Sequence, residues 1–147
     1  MTRRGREYDD PMRNAKHALP AVVLLLAVSA RAELIKVADT GEAAYYLDPK
    51  AVAADGDIRR VPVIVDYAKA EPEGVRSRKM AVEVDCASQR LRSVASSVYA
   101  EPMAAGKPVD SKEVDSDWLY VAPKTGSHIP PRTPYRFVWE FVCRAVV

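Results

Sequence analysis

The chain has 147 residues, and its 22 basic and 20 acidic side chains leave a formal net charge of +2. This length favours a single domain with a small core. The near-balanced charge disfavours nucleic acid as a partner, because no basic stripe is present to neutralise phosphates.

The amino-terminal residues predict a secretory signal peptide. Such a signal needs a basic start, an apolar stretch of about 7–15 residues and small residues at the cut site. Basic residues follow Met12, the apolar stretch runs from Ala18 to Val28, and Ala30 and Ala32 give the small-x-small pattern. We therefore predict a signal peptide over residues 12–32 that is cleaved after Ala32.

Two features around this segment support an exported chain. A membrane anchor needs about 20 apolar residues, and this shorter run is interrupted by Pro20. Residues 1–11 carry acidic side chains where a signal needs positive charge, so we interpret them as a non-native extension from an early start codon. The predicted domain is then residues 33–147, with 16 basic and 17 acidic side chains.

The two cysteines of this domain, Cys86 and Cys143, are predicted to form a structural disulfide. Thiols outside the cytoplasm normally oxidise, and closing a loop of this length stabilises a domain by roughly 4 kcal/mol. A redox pair usually has C-x-x-C spacing, and a zinc site needs more ligands than these cysteines and His128 supply.

Alternating apolar residues and turn signals predict several short strands. Asp55-Gly56 is typical of a hairpin turn, and Pro62 indicates an edge position or a bulge. Residues 102–117 read as a long polar connection. The predicted strands are Leu34–Ala38, Ala43–Asp48, Val61–Tyr67, Val75–Asp85, Gln89–Tyr99 and Trp118–Val121.

The carboxyl end predicts a helix. Thr133 suits the N-cap, Pro134 suits the first helical position, and apolar residues then recur at helical spacing. A final strand is the alternative, since these aromatic and β-branched residues also favour strands. The predicted fold is α+β: one antiparallel sheet of about five to six strands, a C-terminal helix packed on one face, and one disulfide.

The search for catalytic, cofactor and metal sites assigns no residue. His128 lies in loop composition, without the neighbours of a catalytic base. Asp55 and Asp57 flank a turn glycine and fit hairpin chemistry. The acidic cluster of the long connection lacks the order of a calcium loop; its members are Asp110, Glu113, Asp115 and Asp117.

Aromatic side chains could form a binding surface, although such residues more often pack in a core or pair across strands. They are Tyr45, Tyr46, Tyr67, Trp118, Tyr120 and Trp139.

The order of short motifs resembles the surface-adhesin protein E-like family, from Leu34 to Cys143. The motifs that carry the resemblance are Tyr46-Leu47-Asp48-Pro49, Val63-Ile64-Val65-Asp66-Tyr67, Ser77, Val82-Glu83-Val84-Asp85-Cys86, Gln89-Arg90-Leu91-Arg92, Trp118, Val121-Ala122-Pro123 and Cys143. The resemblance implies a small antiparallel sheet with a helix, exported by Gram-negative bacteria, and a Cys86–Cys143 bridge. It also implies an adhesin that binds host matrix or plasma proteins.

The chain departs from this family pattern in two places. Glu33 would be the first mature residue, whereas a lipoprotein needs cysteine there, and Leu34–Val37 replace a first strand that often carries tryptophan. We therefore expect a periplasmic or secreted protein without a stable membrane anchor after cleavage.

Three functional readings remain open. A non-enzymatic module that recognises a protein partner is favoured, a small-ligand carrier with its ligand between helix and sheet is the alternative, and a hydrolase is least supported. The sequence leaves the binding residues unidentified. The strand Val61–Tyr67 has few charges near its centre, so a homodimer through this strand as an exposed edge is also a hypothesis.

Overall fold

The computed structural model describes residues 33–121 and 128–144. The predicted extension, signal peptide and cleavage residues Ala30 and Ala32 lie outside the described residues. Eight strands precede one α-helix, α1 (Pro134–Arg144). The strands are β1 (Ile35–Asp39), β2 (Ala43–Leu47), β3 (Ala53–Asp55), β4 (Ile58–Tyr67), β5 (Ser77–Asp85), β6 (Arg90–Tyr99), β7 (Asp110–Glu113) and β8 (Leu119–Tyr120).

The strands form one antiparallel sheet in the order β1-β2-β4-β5-β6-β7. Two short strands extend it, since β3 pairs with β4 and β8 pairs with β6. The predicted α+β fold is therefore confirmed, with more strands than expected. The additional strands β3 and β7 are exposed at every position, so they carry no apolar alternation and are held by pairing with β4 and β6.

Alternation along the central strands builds the core on one face of the sheet. Val61, Val63 and Val65 of β4 point to this face, where their exposed fractions are between 0 and 4%. The core also includes Leu47, Met80, Val82, Val84 and Leu91 from the other strands. We call this side of the sheet the inner face.

The position of β4 corrects the expectation that Pro62 marks a sheet edge or a bulge, because β4 pairs with β5 through Pro62 without a register shift. β4 is internal, between β2 and β3 on one side and β5 on the other. On the first side, β2 pairs with residues 63–67 and β3 pairs with residues 58–60. Pro62 falls at the gap between them, where a missing N–H donor disrupts no ladder.

The homodimer hypothesis through Val61–Tyr67 is consequently wrong in its choice of strand. Val63, at the centre of this strand, is 1% exposed, so its side chain belongs to the core and is not available to a second copy. The path of paired strands ends at β1 and β7, so any pairing of two copies through these ends of the sheet would use one of those strands.

Helix α1 packs on the inner face. Its Val138 and Val142 are fully buried and Trp139 is 7% exposed, all within the same cluster as the valines of β4. The Thr133 carbonyl accepts a hydrogen bond from the Phe137 amide at 3.2 Å, as expected for an N-cap residue, while the Thr133 hydroxyl donates to the Pro130 carbonyl at 2.9 Å. Within the described ranges, no helix is long and apolar enough to cross a membrane.

The predicted disulfide joins α1 to the sheet. Cys86 follows the end of β5, Cys143 lies in the last turn of α1, and their Cα atoms are 5.6 Å apart. The bridge spans 57 positions of sequence. It therefore connects the last turn of the helix to a central strand of the sheet.

Replacing Cys86 and Cys143 together with serine should lower the free energy of unfolding by about 2–5 kcal/mol, because the unfolded chain is no longer constrained. Urea denaturation monitored by circular dichroism measures the difference. Adding reductant should lower the wild-type value in the same way and leave the variant unchanged. Equal stability of oxidised wild type and variant would contradict a structural role for the bridge.

Candidate binding surface

The outer face of the sheet, opposite α1, presents charged rows across the central strands. Because side chains alternate along a strand, the residues between the buried valines point to this side. The cross-strand register aligns Arg60 of β4, Glu83 of β5 and Arg92 of β6 in one row. A second row aligns Asp85 with Arg90.

Glu83 is the centre of the first row. Its two carboxylate oxygens accept hydrogen bonds from Arg60 at 2.5 Å and from Arg92 at 3.0 Å. The side chain is only 11% exposed, whereas that of Arg60 is 62% exposed. The hydrogen bond from Arg60, reinforced by Arg92, holds the pKa of Glu83 below its ordinary value despite its burial. One buried carboxylate thus orients two guanidinium groups.

Asp85 does the same for Arg90. Its carboxylate accepts from the Arg90 Nε at 3.0 Å and from the Ser88 amide at 2.9 Å, which fixes the turn between β5 and β6. Burial tends to raise the pKa of Asp85, but the Ser88 and Arg90 hydrogen bonds outweigh it and hold the pKa below the ordinary value.

Trp118 packs against Arg90 and Arg92. The guanidinium carbons of Arg90 and Arg92 lie 4.3 and 4.7 Å from its ring centroid, within the range of cation–π contacts. Pairing of β8 with β6 brings the adjacent Tyr120 opposite Arg90. We call Arg60, Arg90, Arg92 and Trp118 the outer patch. Arg60 is exposed and the other three side chains are partly exposed. Glu83 and Asp85 hold the three arginines in place.

The centre of the outer face is flatter. Pro62, Ala81 and Ala95 align across β4, β5 and β6, and all three are partly exposed. A short 3-10 helix, Pro102–Ala104, covers the far end of the face, where the Ser77 hydroxyl accepts from the Ala104 amide at 2.8 Å. A flat centre of small side chains therefore adjoins the outer patch.

The predicted aromatic surface is divided between different parts of the molecule. Trp118 contributes to the outer patch and Tyr46 pairs with Ile64 on the outer face, whereas Tyr45 and Tyr67 line cavities on the inner side and Trp139 is in the core. The aromatic residues therefore do not form one cluster.

The polar residues that the sequence offered as site candidates also lie in different parts of the molecule. His128 is exposed and bridges to Tyr120. Asp110 and Glu113 lie on the exposed edge strand β7, and Asp115 lies 3.9 Å from Arg92. Among residues 33–121 and 128–144, no three histidine, cysteine or acidic side chains group as metal ligands.

The family model for surface-adhesin protein E matches residues 34–144. The chain belongs to the surface-adhesin protein E family. The resemblance seen in the sequence motifs is therefore confirmed, and it spans all of the described fold from β1 to α1. As a member of a surface-adhesin family, the chain is an adhesin-like protein of exported or surface type.

A solved structure supports the family fold independently. Protein E of Haemophilus influenzae matches with a TM-score of 0.54 and 18% sequence identity, covering 79% of this chain and 91% of that one. At this identity the similarity concerns the fold alone. A search of curated proteins gave no significant match.

The sequence did not predict that the arginines of the outer patch lie together beside Trp118. Alternation along β5 places Glu83 on the face opposite Val82 and Val84, a signal that the sequence contains. The partners on β4 and β6 depend on strand register, which the sequence did not determine.

Glu83→Gln should lower the free energy of unfolding at neutral pH by about 1–3 kcal/mol, because the hydrogen bonds from Arg60 and Arg92 lose their ionic acceptor. The lowered pKa also sets the pH dependence. Stabilisation is present above the unfolded pKa, about 4.3 for glutamate, and is lost as the pH falls through the folded value.

Chemical denaturation between pH 7 and pH 3 tests both effects. The variant should show a shallower loss of stability in acid than the wild type. Glu113→Gln, on the exposed strand β7, is the matched control and should follow the wild-type curve. Parallel acid profiles for wild type and Glu83→Gln would contradict the role of the carboxylate.

Proposed function

We propose that this chain is an exported, non-enzymatic binding protein that recognises a protein partner, a host matrix protein or an envelope component, through its outer patch. Membership of an adhesin family supports a binding role. The observation that carries the proposal is the packing of Trp118 beside Arg90 and Arg92 on the sheet face opposite the helix.

The chemistry of the outer patch suits protein recognition. Tryptophan and arginine are enriched among the residues that dominate binding energy at protein interfaces. Arg90 and Arg92 are already oriented by Asp85 and Glu83, so less side-chain entropy is lost when a partner binds. The adjoining flat centre, with Pro62, Ala81 and Ala95, allows close approach of a partner surface.

The proposed location is the periplasm or the extracellular medium. The predicted cleavage after Ala32 would leave Glu33 as the first residue, which cannot take the lipid of a lipoprotein. The structural disulfide is compatible with an oxidising compartment.

Capture with the immobilised mature protein tests the proposal. Periplasmic extract and a panel of purified host matrix proteins are the two inputs, with mass spectrometry or direct binding as the readout. A specific partner is expected in one of them. Retention of the same proteins by a Trp118→Ala column would contradict recognition through the outer patch.

Trp118→Ala should weaken binding of the captured partner by roughly 30-fold or more, as expected for a central aromatic residue of an interface. Phe137→Ala is the matched control, because Phe137 is an exposed aromatic side chain on α1, the helix packed on the other face. Surface plasmon resonance measures both affinities. Equal losses for the two variants would argue against the outer patch.

A further inference from the structure

A polar and aromatic cleft lies on the inner side, next to the first turn of α1. Two adjoining cavities of about 440 and 210 Å³ share Arg78, Met80 and Tyr135. Tyr135 belongs to the helix, whereas Arg78 and Met80 belong to β5. The cleft therefore lies between helix and sheet, and its larger part has the size of a small-molecule site. We call it the inner cleft.

Arg78 is weakly satisfied in this cleft. Its Nε donates to the Tyr67 hydroxyl at 3.3 Å and its Nη1 donates to the Ser96 hydroxyl at 3.4 Å, both long contacts. Among the residues that the structure describes, its nearest carboxylate is Glu71, at 4.0 Å. By contrast, Arg90 and Arg92 each have a carboxylate at 3.0 Å. The Arg78 guanidinium can therefore donate hydrogen bonds to a further, anionic partner.

The walls around Arg78 are aromatic and apolar. Tyr67, Tyr135 and Tyr45 line the smaller cavity, where burial raises the pKa of Tyr45 above its ordinary value. Leu91 and Leu119 line the larger cavity together with Met80. Apolar surface beside one poorly paired guanidinium suits a ligand with an apolar body and a single negative charge.

The other charges of the inner cleft fit a singly charged ligand. Lys112 and Asp117 also line the larger cavity, with opposite charges. The charges of Lys112 and Asp117 cancel. Because Arg78 is the remaining charged residue among the lysine, arginine and acidic residues that line the two cavities, their net charge is +1. A planar carboxylate matches the guanidinium in two parallel hydrogen bonds, and its single negative charge equals this net charge in magnitude.

We propose that the inner cleft binds a small aromatic monocarboxylate. The carboxylate lies on the Arg78 guanidinium, and the ring packs among Tyr67, Tyr135 and Met80. The proposal is independent of protein recognition by the outer patch, because the two sites use opposite faces of the sheet.

Calorimetric titration of the mature protein with 3-phenylpropionate tests the proposal, with the neutral 3-phenylpropanamide as the matched probe. The carboxylate should bind with saturation in roughly the millimolar range, and the amide should bind about tenfold more weakly. Equal binding of the two probes, or no saturation by either up to roughly 10 mM, would overturn the proposal.

The matched variants are Arg78→Gln and Lys79→Gln, which remove the same charge from neighbouring residues on opposite faces of β5. Arg78→Gln should weaken the affinity for 3-phenylpropionate by roughly tenfold, whereas Lys79→Gln should change this affinity by less than about twofold. Equal effects of the two variants would overturn the assignment to Arg78. Near-ultraviolet circular dichroism checks folding, and if Arg78→Gln does not fold, the comparison of the two probes on the wild type still decides.

Discussion

The packing of one helix on one face of the sheet is the constraint on which the rest of the structure depends. Val138 and Val142 are buried in one cluster with the valines of β4 and β5, and the Cys86–Cys143 bridge fixes the end of the helix to the sheet. A small domain has limited apolar area to bury, so this single contact and its cross-link carry much of its stability. Within the described residues, the opposite face is covered only at its far end, by the short 3-10 helix Pro102–Ala104.

This asymmetry explains the composition of the two faces. On the inner face, the side chains from β4 to β6 are largely valine, leucine and methionine, because they meet the helix. On the outer face, charged rows adjoin a centre of small side chains, and Glu83 and Asp85 remain buried by pairing with arginines on β4 and β6. Paired charges keep an open sheet face soluble while giving it fixed features that a partner can recognise.

The position of the inner cleft follows from where the helix begins and ends. Towards its end, the disulfide and Val142 close the inner face against β5. At its first turn, Tyr135 leaves the inner cleft open beside Arg78. The arginines on the two faces consequently differ, since Arg92 is fully engaged with Glu83 and Trp118 while Arg78 has long contacts.

Much of this fold could be predicted from local patterns. Alternating valines predicted the central strand β4, and Thr133-Pro134 followed by helical spacing predicted α1. Strand β7 could not be predicted, because its four exposed polar residues carry no alternation and its hydrogen bonds depend on β6. The gap that accommodates Pro62 likewise depends on where β2 and β3 end.

The candidate sites required information that a single sequence lacks. Arg60, Glu83 and Arg92 are separated by up to 32 positions and meet only through the register of three strands. Both tryptophans were candidates for one aromatic binding surface, yet Trp118 lies in the outer patch and Trp139 in the core. Which aromatic residue is available for binding is decided by tertiary packing rather than by neighbours in the chain.

Hydroxyl-radical footprinting of the oxidised mature protein, alone and bound to its captured partner, tests the central claim most directly. The account predicts that Trp118 is labelled in the free protein and protected in the complex, while Trp139 stays protected in both. Unchanged labelling of Trp118 on binding, with new protection on the helix side of the sheet, would contradict it.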